Sequence, residues 1–371
     1  MIEADCAWVL GRAFADPVPA AAPPADPRRA AHLATALGLA PRIFARAGWE
    51  PLVADLGQEG ARRLALEHAA AEARCLQIAD LARDLATLGR PVVFLKLAAL
   101  CLIEAVEPGA RHGSDLDMLV PESDLGWWSE QLCGTGFTPS TVPGYEHHPP
   151  AFVHPRRGMV ELHVSLPGVR VLGTRFARFE DLRDAGLLRP LAAGMLVPNV
   201  ELLAAHALAH GWAQHGAAPH SYPALQWLAD LQDLGLRNLG RVERGWIARD
   251  VADAVVSAAF ELLDGLRGGS PPEAGPGRDL LDHLLAGTFD EEYREALAVR
   301  RWRPLSERRA VPARLALWRR TLFPSAAELR ALYGARTGRF GVLRQRLWRP
   351  LDVVARAWHR TRARRRQARR T

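Results

Sequence analysis

The sequence predicts an α+β fold, a small mixed sheet with helices packed on it and a large all-helical region after it. Three stretches carry this expectation. Residues 91–95, Pro-Val-Val-Phe-Leu, form an apolar run short enough for a buried strand. Residues 114–120, Ser-Asp-Leu-Asp-Met-Leu-Val, read as a second strand; period two puts Asp115 and Asp117 on one face and Leu116 and Met118 on the other. Residues 159–166 read as a third, with Val160, Leu162 and Val164 on one face and Glu161 and His163 on the opposite one.

The chain of 371 residues is long enough for two or three packed units, and an apolar fraction of 49% supports a real core. No apolar run reaches the roughly 18 residues of a membrane span. Residues 1–10 contain acids and lack a basic n-region, so no secretory signal is expected. The cysteines at 6, 75, 101 and 133 are scattered, without metal-ligand spacing, and read as reduced cysteines of a cytoplasmic protein. The net charge of +7 belongs to one end: residues 350–371 hold eight Arg against Asp352, and the rest of the chain sums to zero.

Taken in order, residues 14–31 are rich in Ala and Pro and read as a loop or linker. Residues 61–88 carry Ile78, Leu81, Leu85 and Leu88 at helical spacing, with Gly89 as a stop and Glu72, Arg74 and Asp84 as a solvated face. Lys96 closes the first strand, where it either holds a triphosphate as a point charge or reaches solvent. Arg111, in a Gly-containing loop, either contacts phosphate or pairs with an acid of the site; Ser114 either binds phosphate or caps a turn. A helix is expected from residue 121 to 132, closed by Gly134 and Gly136, with Trp127 and Trp128 as packing residues. A short strand is expected over 137–142, then a Pro-rich loop holding His147 and His148 and a hairpin over 151–158 leading into the third strand.

Helices are then expected over 200–212, 225–236, 246–266 and 279–300, with a Gly/Pro-rich loop at 267–278 and helical, Arg-rich sequence onward to about 347. His206 and His210 stand at i and i+4, half of an HExxH pattern, but residue 207 is Ala, which argues against zinc chemistry. The resulting division is 1–59, a helical and Pro/Ala-rich segment; 60–195, a catalytic domain with its leading helix; 196–345, a helical domain; and 346–371, an Arg-rich tail.

Two acids side by side in an apolar strand repel each other and resist burial. A divalent cation, Mg²⁺ first, would neutralise them; a solvated acidic edge strand is the plainer reading. Glu161 becomes a third ligand if its strand pairs beside residues 115–120, and three carboxylates on neighbouring strands suit two-metal phosphoryl or nucleotidyl transfer. His163 shares the face of Glu161 and is placed to orient the carboxylate, contact phosphate or move a proton.

Leu95-Lys96, Arg111, Ser114-Asp115-Leu116-Asp117-Met118-Leu119-Val120 and Glu161-Leu162-His163 together resemble the uncharacterised bacterial nucleotidyltransferase family, part of the polymerase-beta-like superfamily, whose pattern reads LKG, then R, then (S)DIDLLV, then ELHW. The likeness continues at Val197-Pro198, His210-Gly211, His215 and residues 225–230, and so covers about residues 60–240. Leu97 replaces the glycine that normally lets backbone approach the phosphates, and Val164 replaces the tryptophan. The resemblance implies a nucleotidyltransferase that moves a nucleoside monophosphate from an NTP, ATP first, to a hydroxyl or phosphate. It assigns Asp115, Asp117 and Glu161 to two Mg²⁺ ions (or Mn²⁺), and Lys96, Arg111, Ser114 and His163 to the nucleotide. His210 and Asp230 then line the acceptor side or pin the two helices together. Family genes often lie near peptide-tailoring or polysaccharide genes, which puts a peptide or a saccharide among the acceptors to expect. The rivals are an inactive family member acting as a scaffold, for which Leu97 speaks, and an RNA-directed enzyme, against which the neutral body speaks. The Arg-rich tail would meet an anionic partner or only solvate the chain.

Overall fold

Seven strands form one mixed sheet: β1 (Val92–Phe94), β2 (Asp115–Leu119), β3 (Thr138–Pro139), β4 (Phe152–His154), β5 (Gly158–His163), β6 (Leu188–Ala192) and β7 (Met195–Pro198). Their spatial order is β3-β4-β5-β2-β1-β7-β6. The central β1–β2 pair is antiparallel, whereas β2 runs parallel to β5 and β1 parallel to β7. The computed structural model describes residues 4–18, 23–140, 149–166, 168–171, 176–211, 225–235, 246 and 255–289. The loop with His147 and His148, the helices expected beyond residue 289 and the Arg-rich tail lie outside the described residues.

Alternation divides the sheet into two buried faces. Val92, Phe94, Leu116, Met118, Val160 and Leu162 join the main core cluster with the helices of the N-terminal half. Val93, Leu95 and Leu119 join a smaller cluster with Phe179, Leu182 and Leu202. By the same period, Asp115, Asp117, Glu161 and His163 belong to this second face. The β6–β7 hairpin has no counterpart in the sequence expectation. Pro190 interrupts the strand signal of β6, a place proline tolerates because β6 is the outermost strand.

Eleven helices are described: α1 (Ala4–Phe14), α2 (Pro27–Ala36), α3 (Ala40–Ala47), α4 (Trp49–Ala86), α5 (Lys96–Leu102), α6 (Leu125–Gly134), α7 (Phe179–Asp184), α8 (Val200–Ala209), α9 (Gln226–Asp233), α10 (Ser257–Arg267) and α11 (Pro276–Phe289). None is long and apolar enough to cross a membrane. The loop expected over 14–31 ends earlier than expected, because α2 begins at Pro27. Asp26 caps it, accepting from the backbone N–H groups of Arg28 and Arg29; proline costs nothing at the first helical position, where no N–H partner exists. Pro276 opens α11 within the loop expected at 267–278.

Helix α4 breaks at Gly57 (φ +70°, ψ 173°), a conformation open to glycine, and its second part packs beside α5 and the sheet. Two expectations fail there. Cys75 and Cys101 are not reduced: they form a disulfide joining α4 to α5, while Cys6 and Cys133 are in no disulfide. The separation of 26 residues carries no motif, and only helix packing brings the pair together. Arg74 and Asp84 are also not merely a wet face. Asp84 pairs with Arg157 in the β4–β5 turn, and Arg74 donates to the carbonyls of Ser114 and Arg157.

Candidate active site

The site grows out of the register of two parallel strands. Asp117 on β2 stands directly opposite Glu161 on β5, and Leu119 opposite His163. Asp117 is buried, 2% exposed, while Glu161 is half-buried. The His163 Nε2–H donates to Asp117 Oδ1 at 2.9 Å and lies 3.7 Å from Glu161 Oε2. Asp117, Glu161 and His163 each offer a donor atom within 4.8 Å of the others, a grouping able to hold a metal ion. Asp115, on the same strand face, stands outside that tight grouping and accepts from Ser114 Oγ at 3.1 Å. Asp230 and the His206–His210 pair are not part of it.

Lys96 does not end the first strand in solvent. It opens α5 with a positive φ of +48°, a backbone conformation that costs a non-glycine residue energy, and places Nζ 2.7 Å from Asp117 Oδ1. One ammonium thus faces three carboxylates. Burial alone would raise Asp117, but Lys96 and His163 override it and hold its carboxyl well below the usual range. Asp115 is raised by burial and by Asp117, which Lys96 only partly offsets. Glu161 is pushed up to about 7, by burial and by Asp117. Burial would lower Lys96, and Asp117 and Asp115 reverse the sign. The cluster carries more negative charge than its own cation satisfies.

The helical side is built differently. Arg111 does pair with an acid: Nε and Nη2 donate to the two oxygens of Asp230 at 2.6 and 2.9 Å, both side chains buried. Gln226 Nε2–H donates to the carbonyl of His112 at 2.6 Å. Helix α9 therefore grips the loop that leads into β2. His206 on α8 and His210 at its C-cap have ring centroids 5.8 Å apart, and border a narrow cavity with Lys96, Leu203 and Asp230. Burial, then Lys96 and His163, push His206 down to about 3, so this imidazole is neutral in the fold.

Leu97 clarifies the missing glycine. Its side chain is buried, 3% exposed, and fills the space above Gly113, where an added Cβ would meet Leu97 Cδ2 at 2.1 Å. The leucine is thus accommodated by Gly113 and packs into the core.

A family model described as uncharacterised nucleotidyltransferase matches residues 23–263. The chain belongs to that family. The match extends the resemblance from α2 into α10 and takes in every residue of the site. No curated protein and no solved structure matches the chain. Nucleotidyltransferases generally use divalent metals, and Asp117, Glu161 and His163 give this one a possible metal-binding group. The donor set fits: hard carboxylate oxygens suit Mg²⁺ or Mn²⁺, and the excess negative charge is what a divalent ion would relieve. Gln226, His206 and Arg74 received no site role from the sequence. His206 had a signal in its spacing from His210 and Gln226 in the family stretch 225–230; Arg74 had none, since it meets the head of β2 through long-range packing.

Proposed function

We propose that this nucleotidyltransferase moves a nucleoside monophosphate from an NTP, ATP first, onto a hydroxyl or phosphate of a peptide or saccharide acceptor. The observation that carries the reading is the face-to-face pairing of Asp117 with Glu161 on adjacent strands, beside Asp115, with Lys96 as the cation in contact. Asp117, Glu161 and Asp115 would hold Mg²⁺, with Mn²⁺ as a substitute. When bound, the ions supply charge neutralisation at the phosphates and lower the pKa of the acceptor hydroxyl. His163 orients Asp117 by its hydrogen bond, as partners of ligating carboxylates do. Lys96, held on a strained backbone, presents its ammonium at the metal-binding carboxylates and would neutralise phosphate charge there. Arg111 acts through Asp230 and fixes the loop that aims β2; Ser114 orients Asp115. His210 and Asp230 belong to the helical wall of the site.

Pyrophosphate release from NTP with Mg²⁺, in the presence of peptide and saccharide acceptor pools, tests the reading. Asp117→Asn should lower the rate by more than ~100-fold, beyond what loss of an outer-shell partner costs, with the circular dichroism spectrum unchanged. Native-level activity in Asp117→Asn would sink the assignment.

A further inference from the structure

Arg74 sits on α4, on a stretch that reads as a solvated helix face, yet its guanidinium lies at the head of β2 and β5. It donates through Nη2 to the carbonyl of Ser114, the residue before Asp115. Through Nη1 it donates to Gln77 Oε1 and, at 3.4 Å, to the carbonyl of Arg157. Gln77 in turn donates to the carbonyl of Arg156. Beneath the guanidinium is Gly158, the first residue of β5, with a φ of +84°; a Cβ there would meet Arg74 Nη1 at 2.3 Å. Arg74 is therefore seated, not waving in solvent. The seat exists only because residue 158 is glycine.

What holds Arg74 is neutral. Arg12, Arg42 and Arg111 are each satisfied by a carboxylate, that of Asp55, Asp233 and Asp230 respectively. Arg74 instead rests on two carbonyls and an amide, and among the described residues it makes no ion pair. Burial lowers its pKa, and Asp115 is the charge that opposes this. An arginine has five N–H donors in a planar fork; the bonds to Gln77, Arg157 and Ser114 leave Nε–H and one hydrogen of Nη2 over. Nε and Nη2 share one edge of the guanidinium, and such an edge matches two oxygens of a phosphate. A positioned guanidinium without an ion-pair partner among the described residues, near Asp115 of the proposed metal site, has the chemistry of an anion-binding group.

We propose that Arg74 is a phosphate-binding residue of this site, taking the triphosphate of the nucleotide through the edge left open by its seat on Ser114, Arg157 and Gln77. Lys96 would then serve the same substrate from α5 and Arg74 from α4. The inference rests on the nucleotidyltransferase reading above.

Calorimetric titration of the full chain with a non-hydrolysable ATP analogue and Mg²⁺, with AMP, and with Mn²⁺ alone tests it. Arg74→Gln should weaken binding of the triphosphate analogue at least tenfold, leave AMP within twofold and leave Mn²⁺ affinity unchanged. Arg74→Lys should recover part of the loss. Gln77→Ala, which loosens the seat but keeps the charge, should lose less than Arg74→Gln. Equal triphosphate affinity in Arg74→Gln and the native protein would overturn the role of Arg74 alone. Parallel loss of triphosphate, AMP and Mn²⁺ binding in Arg74→Gln would also overturn it, and make the residue a clamp on β2. No metal-dependent binding of the analogue by the native protein would overturn this inference together with the reading beneath it.

Discussion

Buried and half-buried carboxylates occur on two kinds of terms in this protein. In the helical layers each has its own guanidinium: Asp5 with Arg29, Asp55 with Arg12, Asp233 with Arg42, Asp230 with Arg111. On the sheet, Asp115, Asp117 and Glu161 crowd one ammonium, that of Lys96. The first arrangement is closed, with charge matched by charge and hydrogen bonds completing the fit. The second is open, and the backbone strain at Lys96 is spent on keeping the cation at the cluster. On the proposed function, the difference separates acids that hold the fold together from acids placed to take a substrate and its metal.

The largest expected effect comes from unbalancing a closed pair. Arg111→Ala leaves Asp230 buried, 4% exposed, without its guanidinium. Removing one partner of such a pair costs about 3–5 kcal/mol, because the remaining charge stays desolvated. Chemical denaturation should show that loss. Arg111→Met with Asp230→Leu should restore most of it, since a buried pair replaced by packed apolar groups is often neutral. A loss under about 1 kcal/mol in the single variant would mean that the pair is not closed in solution.

The open cluster should respond in the opposite sense. Glu161 titrates near pH 7 in the fold, above its ordinary 4.5. A raised carboxyl pKa favours the protonated fold, so this contribution is fully present below pH 4.5 and lost as pH rises through about 7. His206, lowered to about 3, works against it: the fold loses stability through His206 as pH falls below 6.5. The comparison that isolates Glu161 is therefore native protein against Glu161→Gln, both without metal. The variant should gain relative stability across pH 4.5 to 7, approaching on the order of 3 kcal/mol above pH 7. Mn²⁺ should stabilise the native protein more at pH 8 than at pH 5.5 and the variant little at either. A stability difference flat in pH would show that Glu161 is not perturbed by its neighbours.

What the sequence disclosed follows from the range of the forces involved. The faces of β2 and β5 are local, because period two is written within five or six residues. Asp117 and Glu161 therefore met as their alternation required, and the motif spacing pointed to the family. The partner of Arg111 was open in the sequence, since Asp230 lies 119 residues away and only the packing of α9 decides between it and a phosphate. The Cys75–Cys101 bridge, the β6–β7 hairpin beside β1 and the seat of Arg74 share this character. Each depends on where a distant element lands, and a polar residue on an amphipathic helix reads the same whether it meets water or a strand end. Leu97 shows the converse: the bulk of a side chain that departs from the motif is accommodated by Gly113, sixteen positions on.

The smallest effect belongs to an ion pair between the helix that carries Arg74 and the β4–β5 turn. Asp84 accepts from Arg157, but its side chain is 66% exposed. Water screens such a pair and two long side chains lose freedom in forming it, so its contribution lies between roughly 0 and 1 kcal/mol. Asp84→Ala should therefore shift the denaturation midpoint barely, leave Mn²⁺ affinity intact and leave triphosphate binding within twofold. Both residues touch the β4–β5 turn, Asp84 through Arg157 and Arg74 through its carbonyl. If α4 only braces that turn, the Asp84 and Arg74 variants should weaken nucleotide binding in proportion to their loss of stability. If Arg74 meets the phosphates, the two variants part: Arg74→Gln loses the triphosphate and Asp84→Ala does not. A marked loss of triphosphate binding in Asp84→Ala would put the turn, rather than the guanidinium, at the centre of the effect.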